Sequence, residues 1–249
     1  MIVAIASQKG GVGKTTSTIC LGGLLTKSTS CLAIDLDPQG NLTTGLGIEV
    51  ADGQFTTYEV LTERSTVDKA LVATKSGLNL LPADISLAQG EPEISNKVGN
   101  FYLLREQLEP VKPKFAHILI DCPPSLGLLT VNGLAAADAV LIPVQCQFFA
   151  LKGLAALLET IASVRKRLNP DLQILGVLPT MAENTLMTQD ILTSLKKRLG
   201  DTTIFSPVPK SIRFPESNLA GEPIHLYSNE PKYIKPYGAI ASIILRDKK

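Results

Sequence analysis

The 249-residue sequence has almost no net charge, few aromatic side chains and no long apolar run. Its 24 lysines and arginines nearly balance 23 aspartates and glutamates, giving a formal charge of +1. No global field therefore draws the chain to nucleic acid or to a membrane, and polyanion binding would need a local patch. Aromatic residues make up 5% of the chain and do not alternate with basic ones, so sequence-specific reading of nucleic acid is not supported. No apolar run approaches the roughly 20 residues that span a bilayer.

The four cysteines show no spacing typical of a zinc site or a redox pair. Cys20, Cys31, Cys122 and Cys146 each lie in or beside an apolar segment. We interpret them as small buried side chains in a reducing compartment. The sequence enters an apolar strand at once, with no basic region followed by a hydrophobic stretch, so we expect a cytoplasmic protein without a secretory leader.

Strand-like and helix-like segments alternate along most of the sequence. This alternation predicts an α/β fold, a doubly wound and mostly parallel sheet with helices on both faces. Because 45% of the residues are hydrophobic and no internal repeat or long linker interrupts the chain, we expect a single domain over residues 1–249. The predicted strands are 1–7, 31–37, 78–82, 116–121, 139–144, 174–178 and 202–205. The predicted helices are 13–27, 57–61, 67–73, 101–108, 151–168, 188–199 and 237–245. Residues 38–56 are predicted to be a functional loop and residues 206–236 an ordered loop.

A glycine-rich loop lies between the first predicted strand and the first predicted helix. It reads Gly10-Gly11-Val12-Gly13-Lys14-Thr15-Thr16, and a strand, a glycine-rich loop and a helix in this order are typical of a P-loop that cradles phosphates. Glycines let the backbone turn tightly and direct its N–H groups at phosphate oxygens. Lys14 is placed to reach the β- and γ-phosphates, and the Thr15 hydroxyl to hold Mg²⁺. A second lysine, Lys9, precedes the loop, where the general motif does not require one.

Carboxylates end two further predicted strands. Asp35 and Asp37 end the second strand, and Asp121 closes an apolar strand before two prolines. Ligands of open α/β sheets bind at the carboxyl ends of the strands, so we expect these side chains beside the glycine-rich loop. Asp121 is predicted to hold Mg²⁺ directly or through water, and Asp37 to assist the metal and orient a water towards the γ-phosphorus. Asp35 either contacts the side chains that bind the metal, without binding it itself, or caps the loop that follows it.

Together these segments resemble the ParA/MinD family of ATPases, whose deviant P-loop carries the extra lysine. Residues 9–16 match that loop, Asp37-Pro38-Gln39-Gly40-Asn41 matches the second motif, and Ile120-Asp121-Cys122-Pro123-Pro124-Ser125 matches the third. Pro143-Val144-Gln145, followed by Phe149-Ala150-Leu151-Lys152-Gly153-Leu154, is similar to a ParA-type segment. The resemblance runs from residue 1 to about residue 245 and is looser in the C-terminal third.

The resemblance implies a homodimer that sandwiches two ATP molecules, with Mg²⁺ as cofactor. In this family the extra lysine, here Lys9, reaches the partner's phosphates, and a cation facing a triphosphate in a dry interface is worth far more than one in water. It also implies a slow ATPase that a partner stimulates, with hydrolysis timing a conformational state. The implied catalytic residues are Lys9, Lys14 and Asp37, and the implied metal-binding residues are Thr15, Asp37 and Asp121. The implied nucleotide-binding residues are Lys9, Gly10, Gly11, Val12, Gly13, Lys14, Thr15 and Thr16, with Pro207, Val208 and Pro209 where the family cups the adenine.

ParA-type members bind nonspecific double-stranded DNA as ATP dimers, through basic residues in the C-terminal part. The corresponding candidates are Lys196, Lys197, Arg198, Lys210, Arg213, Lys232 and Lys235. Nonspecific binding needs only several phosphate contacts, and dimerisation doubles their number, so nucleotide state would control DNA retention. The chain lacks an arginine that many ParA proteins carry after the strand at 174–180, whereas Lys210 and Arg213 keep two later cationic positions.

The leading interpretation is a ParA/Soj-type ATPase that partitions or positions a cargo over the nucleoid. The cargo would be a plasmid, a chromosome region or a protein microcompartment such as the carboxysome, linked by a ParB-like or other adaptor protein. The alternatives are a MinD-like membrane-associated ATPase and a metabolic ATPase of the same superfamily. A helical stripe of Ile240, Ile243 and Ile244 can in principle enter a membrane interface, but we favour its packing against the domain. With no sizeable extension before the first strand, we expect no site-specific DNA-binding domain.

Overall fold

The computed structural model describes residues 1–147 and 150–246, which contain seven strands and twelve α-helices. The strands are β1 (Ile2–Ile5), β2 (Cys31–Asp35), β3 (Val72–Ala73), β4 (Asn79–Leu81), β5 (His117–Asp121), β6 (Ala139–Gln145) and β7 (Gln173–Thr180). The helices are α1 (Lys14–Leu25), α2 (Asn41–Gly45), α3 (Thr57–Leu61), α4 (Val67–Ala70), α5 (Ser86–Ser95), α6 (Leu103–Leu108), α7 (Leu128–Ala136), α8 (Ala150–Arg167), α9 (Leu186–Leu199), α10 (Arg213–Leu219), α11 (Ile224–Tyr227) and α12 (Pro231–Arg246), with a 3₁₀ turn at Lys112–Lys114. Phe149, part of the segment that resembles the family, lies outside the described residues.

The strands form one sheet in the order β3-β4-β2-β5-β1-β6-β7. Every neighbouring pair is parallel except β3 and β4, which are antiparallel. Strand β1 lies between β5 and β6, with β2 to β5 on one side of it and β6 and β7 on the other. The crevice at such a switch point is where open α/β sheets bind ligands. In the register, Asp121 pairs with both Ile5 and Asp35, so the ends of β1, β2 and β5 meet at that crevice.

Two hydrophobic cores lie on opposite faces of this sheet because side chains alternate along each strand. On β1, Ile2 and Ala4 join the core formed with helices α3 to α9, whereas Val3 and Ile5 join the core formed with α1, α2 and α10 to α12. Strands covered on both faces are expected to be continuously apolar, and the central strand β1 is apolar and buried throughout. The predicted fold class, a mostly parallel doubly wound sheet with helices on both faces, is confirmed.

The last described helix, α12, belongs to the core. It begins at Pro231, a residue suited to the first turn because the missing N–H is not needed there. The side chains of Ile240 and Ile244 are fully buried, whereas Ile243 is 41% exposed. The apolar stripe therefore packs against the domain, as favoured from the sequence. Among the described helices, none is long and apolar enough to cross a membrane.

Several element predictions are wrong. The segments 38–56 and 206–236, predicted to be loops, contain α2, α10, α11 and the start of α12, and α5 and α7 were not predicted. Two further short segments also differ from their predicted structure. The helix predicted over 67–73 ends at Ala70, because Leu71 is extended and the following Val72–Ala73 pairs with β4. The strand predicted over 202–205 is reduced to a single bridge between Ile204 and Val177. A segment this short takes its structure from its neighbours rather than from its own propensity.

The pH dependence of stability should report on His225, which packs against α1. A Cβ built on Gly23 would lie 2.9 Å from the imidazole Cε1, and burial, together with the charge of Lys27, lowers the pKa of His225 from 6.5 to about 4. Between these values the unfolded chain binds more protons than the folded chain, so stability falls as the pH falls from 6.5 towards 4. We expect the unfolding free energy, from denaturant titrations of nucleotide-free protein at pH 7 to 4.5, to fall more steeply than in His225→Gln. Equal slopes in the two proteins would exclude His225 as the cause.

Candidate functional site

The glycine-rich loop between β1 and α1 has a conformation that glycine permits. Gly11 and Gly13 have φ angles of 69° and 88°, in the left-handed region. Gly13 precedes α1 and supplies no side-chain cap, so the first N–H groups of the helix remain for a ligand. At the end of β7, Thr180 Oγ1 donates a hydrogen bond of 2.8 Å to the carbonyl oxygen of Val12. This bond holds the loop in place against the sheet.

Lys14 projects into the site from the first turn of α1 and is only 7% exposed. Its Nζ donates to the carbonyl oxygen of Lys9 at 3.4 Å. Burial lowers the pKa of Lys14, while the negative charges of Asp121 and Asp37 oppose the shift. A partly dehydrated cation at a helix N-terminus is suited to an anionic ligand.

Asp121, at the end of β5, is 1% exposed and bonded to two hydroxyls of α1. Thr15 Oγ1 donates to Oδ2 at 2.6 Å, and Thr18 Oγ1 lies 3.4 Å from Oδ1. Burial, with the charge of Asp35, raises the pKa of Asp121 to about 8, against the Thr15 hydrogen bond and the charge of Lys14. The sequence interpretation missed Thr18. Its position three residues after Thr15, on the same helix face, was the available signal.

Asp35 fixes the loop that carries Asp37. Its buried carboxylate accepts hydrogen bonds from the backbone N–H of Asp37 at 3.1 Å and from the N–H and hydroxyl of Thr43 at 2.9 and 2.8 Å. Burial raises its pKa to about 7. Asp35 therefore caps the loop that follows it, and through the same contacts it also holds the backbone of Asp37 in place. Asp37 is 7% exposed, and its Oδ1 accepts from the N–H of Gln39 at 3.0 Å.

A cavity of about 910 Å³ extends from the glycine-rich loop across the sheet edge. This volume is in the range of small-molecule sites. Of the sequence-predicted nucleotide and metal residues, the cavity is lined by Gly10, Gly11, Gly13, Lys14, Thr15, Thr16, Asp37, Val208 and Pro209; Lys9, Val12, Asp121 and Pro207 are not among its lining residues. Its far end is apolar, with Phe214 and Tyr237 beside Val208 and Pro209. Asn218, which the sequence interpretation missed, donates from Nδ2 to Thr16 Oγ1 at 3.3 Å.

The site offers few protein ligands for a metal. Within residues 1–147 and 150–246, no group of three or more histidine, cysteine, aspartate or glutamate residues is arranged to hold a metal ion. The hydroxyl of Thr15 and the carboxylates of Asp37 and Asp121 are hard oxygen donors of the kind that Mg²⁺ takes. A Mg²⁺ ion here would need phosphate and water oxygens to complete its shell, which is how such ions are usually bound beside phosphates.

Lys9 is exposed and is not among the residues that line the cavity. Its Nζ donates to Oε1 of Gln145 and to Oε1 of Gln147, both at 2.9 Å. Gln145 is the last residue of β6 and Gln147 follows the strand, 136 and 138 residues from Lys9 in sequence, and no local pattern pointed to them.

The candidate DNA-binding side chains are all exposed. Lys196, Lys197 and Arg198 form the last turn of α9, and Lys235 lies on α12. Lys210, Arg213 and Lys232 each form an ion pair, with Glu183 at 2.7 Å, Glu216 at 3.2 Å and Glu230 at 2.7 Å respectively. Exposed pairs of this kind contribute little and exchange readily, so the cations remain accessible to another anion.

Residues 1–174 match a family model described as an AAA domain. Among curated proteins, the chain is 43% identical over 239 residues to the sporulation initiation inhibitor protein Soj of Bacillus subtilis, covering 95% of this chain and 94% of Soj. It is also 43% identical over 231 residues to the chromosome partitioning protein ParA of Caulobacter vibrioides, covering 91% of this chain and 86% of that protein.

Solved structures show the same fold over nearly the whole chain. Cobyrinic acid a,c-diamide synthase from Mycobacterium smegmatis, with bound ATP analogue and magnesium, aligns with a TM-score of 0.86 and 36% identity, covering 98% of this chain and 94% of that one. A Cyanothece McdA variant in complex with ATP aligns with a TM-score of 0.92 and 27% identity, covering 100% and 97%. The glycine-rich loop with its extra lysine, the parallel sheet around it and these relatives establish that the chain belongs to the ParA/MinD family of P-loop ATPases, in the group that includes ParA and Soj.

Proposed function

We propose that this protein is a ParA-type ATPase that positions or partitions a cargo over nucleoid DNA in the cytoplasm. Residues 1–249 would form one ATPase domain that binds ATP and Mg²⁺, dimerises around two ATP molecules and holds nonspecific DNA as the dimer. The observation that most supports this function is the convergence of Lys14, Thr15, Asp37 and Asp121 at one crevice, with a further lysine, Lys9, exposed beside it. A ParB-like or other adaptor would stimulate slow hydrolysis, and the cargo would be a plasmid, a chromosome region or a protein assembly.

The nucleotide would lie along the cavity with its phosphates on the glycine-rich loop. The backbone N–H groups of residues 10–16 and the ammonium of Lys14 would bind the phosphates. Thr15, together with Asp37 and Asp121, would hold Mg²⁺, which supplies positive charge next to the β- and γ-phosphates. Pro207, Val208 and Pro209 would contact the adenine at the apolar end. The ATP analogue and magnesium bound in the M. smegmatis structure, and the ATP bound in the McdA structure, support ATP and Mg²⁺ as the ligands.

Hydrolysis would depend on orientation and charge rather than on covalent chemistry. The buried Asp35 carboxylate accepts a hydrogen bond from the Asp37 N–H, and the Asp37 carboxylate accepts one from the Gln39 N–H. These contacts would hold the Asp37 carboxylate in place to orient the water that attacks the γ-phosphorus. Lys14 would stabilise the charge that develops on the phosphoryl oxygens, and Lys9 would do so for the ATP of the partner protomer. An incomplete site in the monomer would make hydrolysis follow dimerisation.

DNA retention should depend on Arg213, an exposed residue at the start of α10. Reversal to glutamate removes a phosphate contact and adds repulsion in both protomers, so we expect Arg213→Glu to weaken retention on plain double-stranded DNA about tenfold or more. ATP affinity should be unchanged. The assay is retention on random-sequence DNA with a nonhydrolysable ATP analogue, at one fixed salt concentration. Arg105→Glu is the matched control, because Arg105 is exposed on α6, which packs on the opposite face of the sheet. Equal retention of the two variants would show that the DNA surface lies elsewhere.

A metabolic function is the second candidate, because the M. smegmatis structure carries the name of a biosynthetic synthase. The two functions differ in a simple observation. A ParA-type protein should bind plain DNA with ATP and release it with ADP, and it should not sediment with anionic vesicles. Failure to bind DNA in either nucleotide state would favour the metabolic function, and sedimentation with vesicles would favour a MinD-like one.

A further inference from the structure

Two side-chain amides of the same protomer accept hydrogen bonds from Lys9. We propose that Gln145 and Gln147 are positioning residues that keep the Lys9 ammonium at its own protomer until the dimer forms. The inference rests on the proposed sandwich dimer, in which Lys9 must leave this position to reach the partner's phosphates. It adds a step in which Lys9 breaks its hydrogen bonds to Gln145 and Gln147, and the strength of these bonds sets the free energy that the step requires.

The geometry of the two amides is fixed by backbone contacts. The N–H of Gln147 donates to the carbonyl oxygen of Gln145 at 2.8 Å, and the N–H of Cys146 between them donates to the carbonyl oxygen of Thr180 at 3.0 Å. The segment after β6 is therefore tied to the end of β7. Both side-chain oxygens consequently reach the same ammonium, each at 2.9 Å.

Gln145 also connects Lys9 to the wall of the cavity. While its Oε1 accepts from Lys9, its Nε2 donates to Met181 Sδ at 3.2 Å. Met181 lines the cavity and has a φ angle of 51°, unusual for a residue with a side chain. The next residue, Ala182, donates to the carbonyl oxygen of Val208 at 3.0 Å, at the apolar end. A ligand that shifts Met181 would break the Gln145 contact and so loosen Lys9.

The two hydrogen bonds that hold Lys9 are weak enough to break and re-form readily. Both acceptors are neutral amides, and the two bonds are exposed to solvent. Solvent-exposed hydrogen bonds contribute little net free energy, because water replaces the partner when they break. Removing one should therefore change an equilibrium by a factor of about three to ten.

The dimer equilibrium tests the proposal with variants of opposite expected sign. In sedimentation velocity with a nonhydrolysable ATP analogue and Mg²⁺, Gln147→Ala should tighten the dimer about three- to tenfold. Gln147→Glu should weaken it, because a carboxylate of the same size holds the lysine more firmly, and added salt should reduce that effect. Gln173→Ala, which removes an exposed glutamine at the start of β7, should leave the dimer unchanged.

A double-mutant cycle separates positioning from a merely structural role. In a Lys9→Ala background the Gln147 substitutions should have no further effect on the dimer. A Gln147→Ala shift that persists without Lys9 would overturn the proposal, as would equal dimer constants for Gln147→Ala and the wild type.

Lys9 acylation gives a readout that does not need the dimer. In nucleotide-free monomer, mass spectrometry of acylated peptides should show Lys9 reacting about two- to fourfold faster in Gln147→Ala, relative to Lys27 in the same molecule. An unchanged relative rate of Lys9 acylation would show that Gln147 does not restrain Lys9. A wild-type protein that remains monomeric with the ATP analogue would instead refute the proposed function, and the acylation rates would still decide whether Gln147 holds Lys9.

Discussion

Replacement of Lys14 by alanine will lower the affinity for ATP by about a hundredfold or more. The expected loss follows from two observations: Lys14 is nearly buried at the N-terminus of α1, and Asp121 and Asp37 lie close to it. Without the ammonium, a triphosphate entering this crevice would lie beside Asp121 and Asp37 with no cation of the protein to bind its charge. Charge-assisted hydrogen bonds contribute about 1.5–3 kcal/mol each, and 2.7 kcal/mol corresponds to about a hundredfold.

The measurement is a titration with a fluorescent ATP analogue in the presence of Mg²⁺. Lys27→Ala serves as the control. Lys27 is exposed beyond the other end of α1, and its replacement removes the same positive charge away from the glycine-rich loop. Wild-type affinity in Lys14→Ala would show that phosphates do not bind at the glycine-rich loop.

Replacement of Asp37 will separate ATP binding from ATP hydrolysis. Asp37→Asn keeps the acceptor for the N–H of Gln39 and therefore the local loop, but loses the carboxylate that would orient the attacking water. Positioned general bases contribute about 10²–10⁴ in rate, so we expect turnover to fall at least about a hundredfold. ATP affinity should remain within about threefold of wild type, and the ATP-bound, DNA-binding dimer should persist.

Single-turnover hydrolysis of labelled ATP by preformed complex measures this effect without interference from binding. Asp68→Asn is a suitable control, because Asp68 is exposed on α4 and its only ion pair among the described residues is with Lys114. Normal turnover in Asp37→Asn would assign the catalytic role to another group.

The parts of the site that the sequence predicted are those encoded by short contiguous segments. A glycine-rich loop between an apolar strand and a helix has few alternative conformations, so the surroundings of Lys14 and Thr15 followed from local chemistry. Asp121 could be placed because the ends of parallel strands share one edge of the sheet. The burial of Ile240 and Ile244 followed from helical periodicity.

The remainder of the site depends on contacts between distant segments. The bonds from Thr180 to Val12, from Asn218 to Thr16 and from Lys9 to Gln147 join residues 168, 202 and 138 positions apart. The periodicity or spacing within one segment cannot predict such contacts, because tertiary packing alone decides which distant side chains meet. The same limit explains the wrong prediction over 67–73, where pairing of Val72–Ala73 with β4 overrode the local helix signal.

The most direct test of the account is the mass of the purified protein in solution with nucleotide. With a nonhydrolysable ATP analogue and Mg²⁺, light scattering should give twice the protomer mass, and with ADP it should give the protomer mass. In Lys9→Ala the dimer should still form but only at higher protein concentration. A wild-type protein that stays at the protomer mass with the analogue, at concentrations well above those that saturate nucleotide binding, would contradict the account.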